Sequence, residues 1–338
     1  MPSLSPRENF LRALNHEETE YVPFVYPGND MSVSDIAYCG FWGLSSDVGN
    51  ADSNFIDGFG VPWEGSESTG GAVMPAPGKF ILKDVTQWKK SITIPNLENY
   101  DLDKMVADAA GFFTVDRDRQ ALAFMNTTGV WNRLAALMGF EEALVAILEE
   151  PEACNELFTA ITDYKVQLAE KAAKYFKPDI FYAYDDIATE LNLFMSPQTY
   201  RSLIQPHHKR FFTAIRNFGM IPVHHICGRA EICVEDYIDA GAAAWSSVQP
   251  TNDIAALLDK YGDRLAFEGG YDTTGKPGCP DVTPEEVVAE VERCFRDYGN
   301  KKGFIFAPFL VTSFDRDYIE KLNLIMLETT NRLRFGNP

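Results

Sequence analysis

Short apolar runs alternate with longer amphipathic stretches through the second half of the chain. The apolar runs predict buried strands at 179–184, 220–228, 243–248, 265–268 and 303–307. The stretches around them predict helices at 151–176, 196–218, 229–240, 253–261, 284–298 and 315–333. Strands and helices that alternate in this way are typical of a parallel sheet with helices packed outside it.

The first half of the chain is less regular. A helix is predicted from the cap Ser5 onward because Pro6 and Glu8 follow it, which is typical of a first helical turn. Strands are predicted at 22–26 and 121–126, and a small hairpin at 79–83 and 91–94. Five later strands with room for three earlier ones indicate a (β/α)8 TIM barrel. We expect a single domain over 1–338, in which 1–120 holds the N-terminal helix, the first strand and an insertion.

A doubly wound open sheet is the alternative fold, but no glycine-rich nucleotide loop follows any predicted strand. Residues 13–78 contain no lysine or arginine, and aromatic side chains stand there among glycine, serine and aspartate. Long irregular segments are often binding loops or lids. We therefore interpret 30–78 as a lid over the barrel mouth, or else as a layer that covers the core.

Composition restricts the partners. The chain has 30 basic and 49 acidic residues, a net charge of −19, which argues against nucleic acid or an anionic membrane as partner. No apolar stretch is long enough to span a bilayer and no secretory signal is evident, so the cytoplasm is the expected compartment. The six cysteines show no framework spacing and are interpreted as reduced thiols or ligands.

Polar residues stand where several predicted strands end. In a parallel barrel these ends meet at one face, which is where active sites lie. The residues concerned are Asp185, Asp186, His225, Cys227, Gln249, Glu268, Tyr271, Asp272 and the segment 308–312.

His225 and Cys227 are the strongest candidates for metal binding. Side chains two apart on a strand point to the same side, so these two face one way and His224 and Ile226 the other. Imidazole and thiolate are zinc ligands, and the pair makes half of a metal site. A buried cysteine that only fills space is the alternative interpretation.

These residues resemble those of a known family. The resemblance to the uroporphyrinogen decarboxylase superfamily rests on RENFLRALNHE at 7–17, VPF at 22–24, YDD at 184–186, MSPQTY at 195–200, Pro206 and HICG at 225–228. It covers nearly the whole chain and implies a (β/α)8 barrel. The HICG element is similar to the zinc half-site of the cobalamin-linked methyltransferases in that superfamily, so zinc and a corrinoid carried by a partner protein are implied.

One departure concerns the third metal ligand. The methyltransferase branch commonly supplies a cysteine at the end of the last strand, where this chain has APFLV at 307–311. The third ligand would then come from Cys279, Asp186 or Glu190, and we take Cys279 with His225 and Cys227 as the metal set.

Other polar residues have both structural and functional interpretations. Asp186 is a candidate catalytic residue with His225 and Cys227, whereas Asp185 either contacts substrate or caps a helix. His207 and His208 are expected on a solvated helix face and His224 in the core. Three further cysteines are expected to serve in packing: Cys154, Cys233 and Cys294.

The functional hypothesis is a zinc-dependent methyltransferase of the O-demethylase type, which moves a methyl group from a small methoxylated aromatic donor to a corrinoid protein. The predicted mouth of the barrel is rich in aromatic side chains and poor in cations, which suits a neutral or aromatic donor. The aromatic side chains assigned to it are Tyr26, Phe41, Trp42, Trp63, Tyr184, Tyr271 and Phe309. Asp185 and Glu190 complete the predicted substrate contacts.

Three alternatives stay open. The same half-site suits methyl transfer from a methyl-corrinoid to a thiol. A true decarboxylase of an eight-carboxylate tetrapyrrole needs arginines near 26–31, where there are none. A barrel that only binds a small ligand belongs to another functional class. A homodimer stays open as an assembly.

Overall fold

The fold is known from a computed structural model that describes residues 2–28, 30–41, 54–65, 73–109, 115–309 and 315–336. The predicted mouth residue Trp42 lies outside these ranges, as do parts of the predicted lid. In the described part, the strands are β1 (Ile36–Cys39), β2 (Asn54–Ile56), β3 (Pro62–Gly65), β4 (Val73–Pro75), β5 (Ala121–Asn126), β6 (Ile180–Tyr184), β7 (Ile221–His225), β8 (Ala244–Val248), β9 (Ala266–Gly269) and β10 (Phe304–Phe306).

Twelve α-helices are found in the same ranges. They are α1 (Pro6–Leu14), α2 (Trp88–Ser91), α3 (Leu102–Ala109), α4 (Val130–Met138), α5 (Phe140–Glu149), α6 (Pro151–Tyr175), α7 (Pro197–Thr199), α8 (Gln205–Asn217), α9 (Val234–Ala240), α10 (Ile254–Tyr261), α11 (Pro284–Tyr298) and α12 (Arg316–Phe335). No described helix has an apolar window long enough to cross a membrane.

Local sequence signals begin the helices as expected. Ser5 and Glu8 form a reciprocal capping box at α1, and Thr283 with Glu286 does the same at α11. A five-residue π-helical segment, Tyr200–Ile204, joins α7 to α8. Pro206 is the second residue of α8, and its missing N–H explains the local departure from α-helical hydrogen bonding.

The main sheet is curled and parallel, with seven strands in the order β1-β5-β6-β7-β8-β9-β10. Residues around Phe24 connect its two outer strands. Val25 N donates to Phe306 O at 2.9 Å, and Asp35 N, next to β1, donates to Phe24 O at 3.0 Å. The fold is therefore TIM-barrel-like, and the predicted strand 22–26 is reduced to a single bridge at Phe24.

Helix α1 covers the amino-terminal end of the sheet. Phe10, Ala13 and Leu14 pack in one cluster with the first residues of several strands, among them Ile36 and Ala121. The amino end of the sheet is thereby filled with apolar side chains. The opposite, carboxyl-terminal end is left for a cavity.

Two expectations about 30–120 have different outcomes. The hairpin predicted at 79–83 and 91–94 is wrong, because Ile81 and Leu82 donate their N–H groups to Leu137 O at the end of α4. The antiparallel sheet β2-β3-β4 packs beside the helices: Asp57 pairs with Arg133 of α4, and Phe59 contacts Tyr164 of α6. Its described residues form a covering layer.

Candidate metal site and substrate cavity

A cavity of about 420 Å³ opens at the carboxyl-terminal end of the sheet. Four tyrosines contribute to its walls: Tyr26, Tyr38, Tyr182 and Tyr184. Met31, Met125 and Phe309 add apolar surface, and Phe309 is 59% exposed at the rim. Among the described residues that line the cavity there is no lysine or arginine. Its walls therefore suit a neutral or aromatic molecule better than an anionic one.

Three potential metal ligands meet at the edge of this cavity, and two of them, His225 and Cys227, line it. The ligand atoms of Asp186, His225 and Cys227 all lie within 4.8 Å of one another, and within the described part of the chain no other group of three such residues does so. His225 Nε2 lies 3.6 Å from Cys227 Sγ, and the Cys227 amide donates to Asp186 Oδ1 at 2.6 Å. His225 ends β7 and Cys227 follows two residues later, on the same side.

Strand alternation separates the two neighbouring histidines as predicted. His224 points into the helical layer, where its ring packs against His208, Phe212 and Tyr237. It is 1% exposed, and burial lowers its pKa well below the usual range. The interpretation of His224 as a core histidine is confirmed.

The two adjacent aspartates have different environments. Asp186 turns toward Cys227, whereas Asp185, 1% exposed, turns toward the start of α4. Its carboxylate accepts hydrogen bonds from the amides of Trp131 (3.2 Å) and Asn132 (2.9 Å), and it lies 2.8 Å from His208 Nε2. Asp185 therefore acts as the N-terminal cap of α4 and does not line the cavity.

Gly129, which precedes α4, has no side chain to cap the helix. A Cβ atom there would lie 2.0 Å from Asp185 Cγ, so only glycine leaves room for the carboxylate. Asn132 connects both aspartates, since its side-chain oxygen accepts from Asp186 N at 2.8 Å.

A bulge in β8 supplies two further cavity residues. The register of β8 against β9 shifts between Ser246 and Val248, and Ser247 has a φ of 66°. Because a bulge interrupts the alternation of side chains, Ser246 and Ser247 both line the cavity. Ser246 Oγ lies 3.1 Å from His225 Nδ1, and Ser247 Oγ lies 3.3 Å from Cys227 Sγ.

Glu268 lies at the inner end of this polar group and is 4% exposed. It accepts hydrogen bonds from Ser246 Oγ (2.8 Å) and from Tyr182 Oη. Burial raises its pKa to about 7, against the two hydrogen bonds, which lower it.

The site groups are also perturbed by burial. Desolvation lowers the pKa of His225 to about 3 and raises that of Cys227 to about 12, and it raises the pKa of Asp186. The Tyr184 ring stacks on that of His225 with 3.8 Å between centroids. A cation at this position would oppose the shifts of Cys227 and Asp186, because it stabilises thiolate and carboxylate. It would bind the neutral imidazole that burial already favours at His225.

Several residues predicted from the sequence lie elsewhere. Cys279 Sγ donates to Gly275 O within its own loop and does not join Asp186, His225 and Cys227, which we call the metal group. Glu190 is exposed in a turn and lies outside that group as well. Tyr271 is buried and donates to Pro277 O at 3.2 Å. Phe41 and Trp63 are buried in the core, away from the cavity.

The expectation of a solvated helix face for His207 and His208 is wrong, since both are buried. His207 contacts Asn155 of α6, and His208 contacts His224 of β7. The expectation of packing roles for Cys154, Cys233 and Cys294 is confirmed, since all three are buried. Four residues of the site were not predicted from the sequence: Tyr182, Asn132, Ser246 and Ser247. For Ser246 a signal was present, because it occupies an inward position on a predicted strand next to His225.

Comparison with solved structures finds similarities of different strength. A methyltransferase from Methanosarcina mazei is 12% identical, with 98% of this chain and 99% of that chain covered and a TM-score of 0.66. The YdhT protein from Bacillus subtilis is 9% identical over 94% of this chain and 87% of that one, with a TM-score of 0.44. Xylanase B from Clostridium stercorarium F9 is 13% identical over 64% and 74%, with a TM-score of 0.38.

At such identities a structural likeness shows the fold alone, and only the first of these similarities is strong enough to support it. No curated protein sequence matches the chain. Residues 59–309 match the family described as Uroporphyrinogen decarboxylase (URO-D). Because this match spans most of the chain, the protein belongs to the URO-D family.

Proposed function

We propose that this protein is a zinc-dependent methyltransferase that moves a methyl group from a small methoxylated aromatic donor to the reduced corrinoid of a partner protein. The observation that carries the proposal is the meeting of Asp186, His225 and Cys227 at a cavity without a described cationic lining residue. The similarity in fold to a Methanosarcina mazei methyltransferase supports it.

The donor set fits zinc. Imidazole nitrogen, thiolate sulfur and carboxylate oxygen are its usual ligands, and three protein ligands leave a fourth position for substrate. A thiolate and a carboxylate together carry two negative charges, which a divalent ion balances in this buried place. Asp186 therefore takes the position for which Cys279 was the first candidate. When bound, zinc supplies a Lewis acid for the ether oxygen of the donor, or for a thiol.

The protein's own residues would bind and orient the donor. The tyrosine rings and methionines of the cavity offer stacking and apolar contact to an aromatic ring, and they exclude water from the reacting bond. Tyr26 Oη is buried at the cavity and has no hydrogen-bond partner among the described residues. It is thus free to donate to an oxygen of the donor. In the transfer, the methyl–oxygen bond breaks, its electron pair stays on oxygen and the corrinoid takes the methyl group.

Methyl transfer from a methyl-corrinoid to a thiol is the second candidate, because the same three ligands suit it. A decarboxylase of a polycarboxylate is not supported, since the described lining of the cavity offers no arginine or lysine to pair with carboxylates. A barrel that only binds a small molecule would not need three metal-ligating side chains in one place, so their convergence does not support that function.

We also propose that the sheet closes into an eight-stranded barrel. The hydrogen bonds of Phe24 and Val25 to both outer strands support closure.

The test is to incubate the zinc-loaded protein with a Co(I)-corrinoid protein and a panel of methoxyarenes, and to follow methylation of the corrinoid by its absorption spectrum. His225→Ala and Cys227→Ala variants are expected to lose both zinc and turnover. Metal analysis that finds no zinc in a normally folded wild type would sink the proposal. If the protein transfers a methyl group from a methyl-corrinoid to thiols, and demethylates none of the methoxyarenes, the second candidate is established.

A further inference from the structure

One row of residues crosses four neighbouring strands at the level of the metal group. Tyr184 is the register partner of His225, His225 of Ser246, and Ser246 of Glu268. Hydrogen bonds connect three of them, since His225 Nδ1 lies 3.1 Å from Ser246 Oγ and Ser246 Oγ donates to Glu268 Oε1 at 2.8 Å. The row thus joins a buried carboxylate to the imidazole of the candidate metal site.

The protons in this row can be counted. The Ser246 hydroxyl has one proton, and the Glu268 carboxylate accepts it. The second carboxylate oxygen accepts the proton of Tyr182. Ser246 therefore has only lone pairs to offer His225, so that His225 Nδ1 must carry the ring proton in a neutral imidazole. His225 Nε2, which faces Cys227 Sγ, then carries the lone pair.

We propose that Glu268 is a positioning residue that acts through the Ser246 hydroxyl. It holds His225 as the Nδ1-protonated tautomer and so leaves Nε2 free to bind a metal ion. Ligating histidines elsewhere are oriented by a hydrogen bond from the second ring nitrogen, and here a serine extends that connection to a carboxylate. Only the metal-binding part of this inference depends on the proposed function, since the tautomer is a property of the protein itself.

Packing alone does not explain why a glutamate, and not an apolar residue, occupies position 268. Burial raises its pKa to about 7, so that a carboxylate at this position is costly. An apolar side chain of similar size would fill the space without that cost. The Tyr184 ring, stacked on His225, fixes the plane of the imidazole, and the Ser246 bond then fixes its rotation and protonation.

The first test reads the tautomer directly in metal-free protein. Histidine labelled with ¹⁵N gives ring shifts that distinguish Nδ1–H from Nε2–H, and a His225→Gln variant assigns the signals among the five histidines. The wild type is expected to show Nδ1–H. In Glu268→Met the serine proton has lost its acceptor and turns to His225 Nδ1, so the Nε2–H form is expected.

Two variants serve as controls and as a second route. Tyr182→Phe perturbs the same carboxylate but keeps the Ser246 bond, so the wild-type tautomer is expected. Ser246→Ala removes the connection itself, and Nδ1–H is expected to lose its dominance even if Glu268→Met does not fold. An unchanged Nδ1–H signal in folded Glu268→Met or Ser246→Ala overturns the proposal.

The second test measures zinc affinity in a double-mutant cycle. Glu268→Met and Ser246→Ala are each expected to weaken zinc binding about ten- to a hundredfold, as losses of outer-shell partners do. The double variant should bind zinc with about the affinity of the single variant that binds it more weakly, because both changes break the same connection. Additive losses would instead mean that the charge of Glu268 acts on the ion directly, which overturns the relay. If the wild type binds no zinc while the tautomer changes as expected, the relay holds and the zinc-dependent function fails.

Discussion

The adjacent residues Asp185 and Asp186 offer a sharp test, because the structure gives them opposite tasks. Asp185 accepts two hydrogen bonds from the start of α4 and a third from His208 of α8, and Asp186 belongs to the candidate metal group with His225 and Cys227. We predict that Asp185→Asn destabilises the fold while zinc binding is largely kept. Asp186→Asn is predicted to keep the fold and to lose zinc.

The magnitudes follow from the contacts. An asparagine at 185 can accept at most two of the three hydrogen bonds through its single side-chain oxygen. Its N–H₂ group then faces a third donor, with which it cannot bond, and the negative charge is lost. Since a hydrogen bond to a charged group contributes roughly 1.5–3 kcal/mol, the free energy of unfolding should fall by about 3 kcal/mol. At 186 the amide oxygen still accepts from Cys227 N, so the change in stability should stay within about 1 kcal/mol. Zinc affinity should fall by at least about a hundredfold, because a ligand contributes more than an outer-shell partner.

Urea unfolding of the metal-free variants, followed by circular dichroism, gives the first quantity, provided that the m-values agree. Competition with a chromophoric chelator gives the second. Glu190→Gln and Cys279→Ser are matched controls, since both residues were candidate third ligands and lie outside the metal group, and neither quantity should change. The reasoning is refuted if Asp185→Asn weakens zinc binding as much as Asp186→Asn does while its unfolding free energy stays at the wild-type value.

Three further predictions concern single groups. Because the pKa of Cys227 is raised to about 12, zinc must displace the thiol proton, and apparent affinity should rise about tenfold per pH unit between pH 6.5 and 8.5; a flat profile contradicts thiolate ligation. Glu268 has a pKa of about 7 against 4.5 when unfolded, so its stabilising contribution is complete below about pH 4.5 and is lost as the pH rises through 7. This loss is about 3 kcal/mol, and urea unfolding of Glu268→Gln should lack it. Tyr26→Phe should raise the KM for an oxygen-bearing donor about tenfold without loss of stability, because no described residue pairs with its hydroxyl; an unchanged KM removes Tyr26 from the site.

Much of the architecture could be predicted from local patterns. Strand 121–126 matches β5 at both ends, and the later strands differ from prediction by at most three residues at an end. The helix predicted at 196–218 is interrupted by the π-helical segment, and α9 begins at Val234 where a start at 229 was predicted. Strand β1 was missed although its four residues, Ile36–Cys39, are apolar, because the glycines, serines and aspartates around them favoured an irregular segment. The hairpin near 79–94 failed because those apolar residues pack on α4 and satisfy their amides there.

In the candidate site, too, some features follow from local sequence and others only from tertiary contacts. The sequence by itself determined that His225 and Cys227 share one side of a strand and that His224 faces the other, because the alternation of side chains is a local property of the extended chain. Only the tertiary structure decided that Asp186 joins them and that Asp185 does not. Which way each aspartate turns depends on where β6 ends and on the free amides at the start of α4, which are distant in sequence. The bulge in β8 and the register that aligns Ser246 and Glu268 with His225 arise from pairing between strands, and no single segment encodes them.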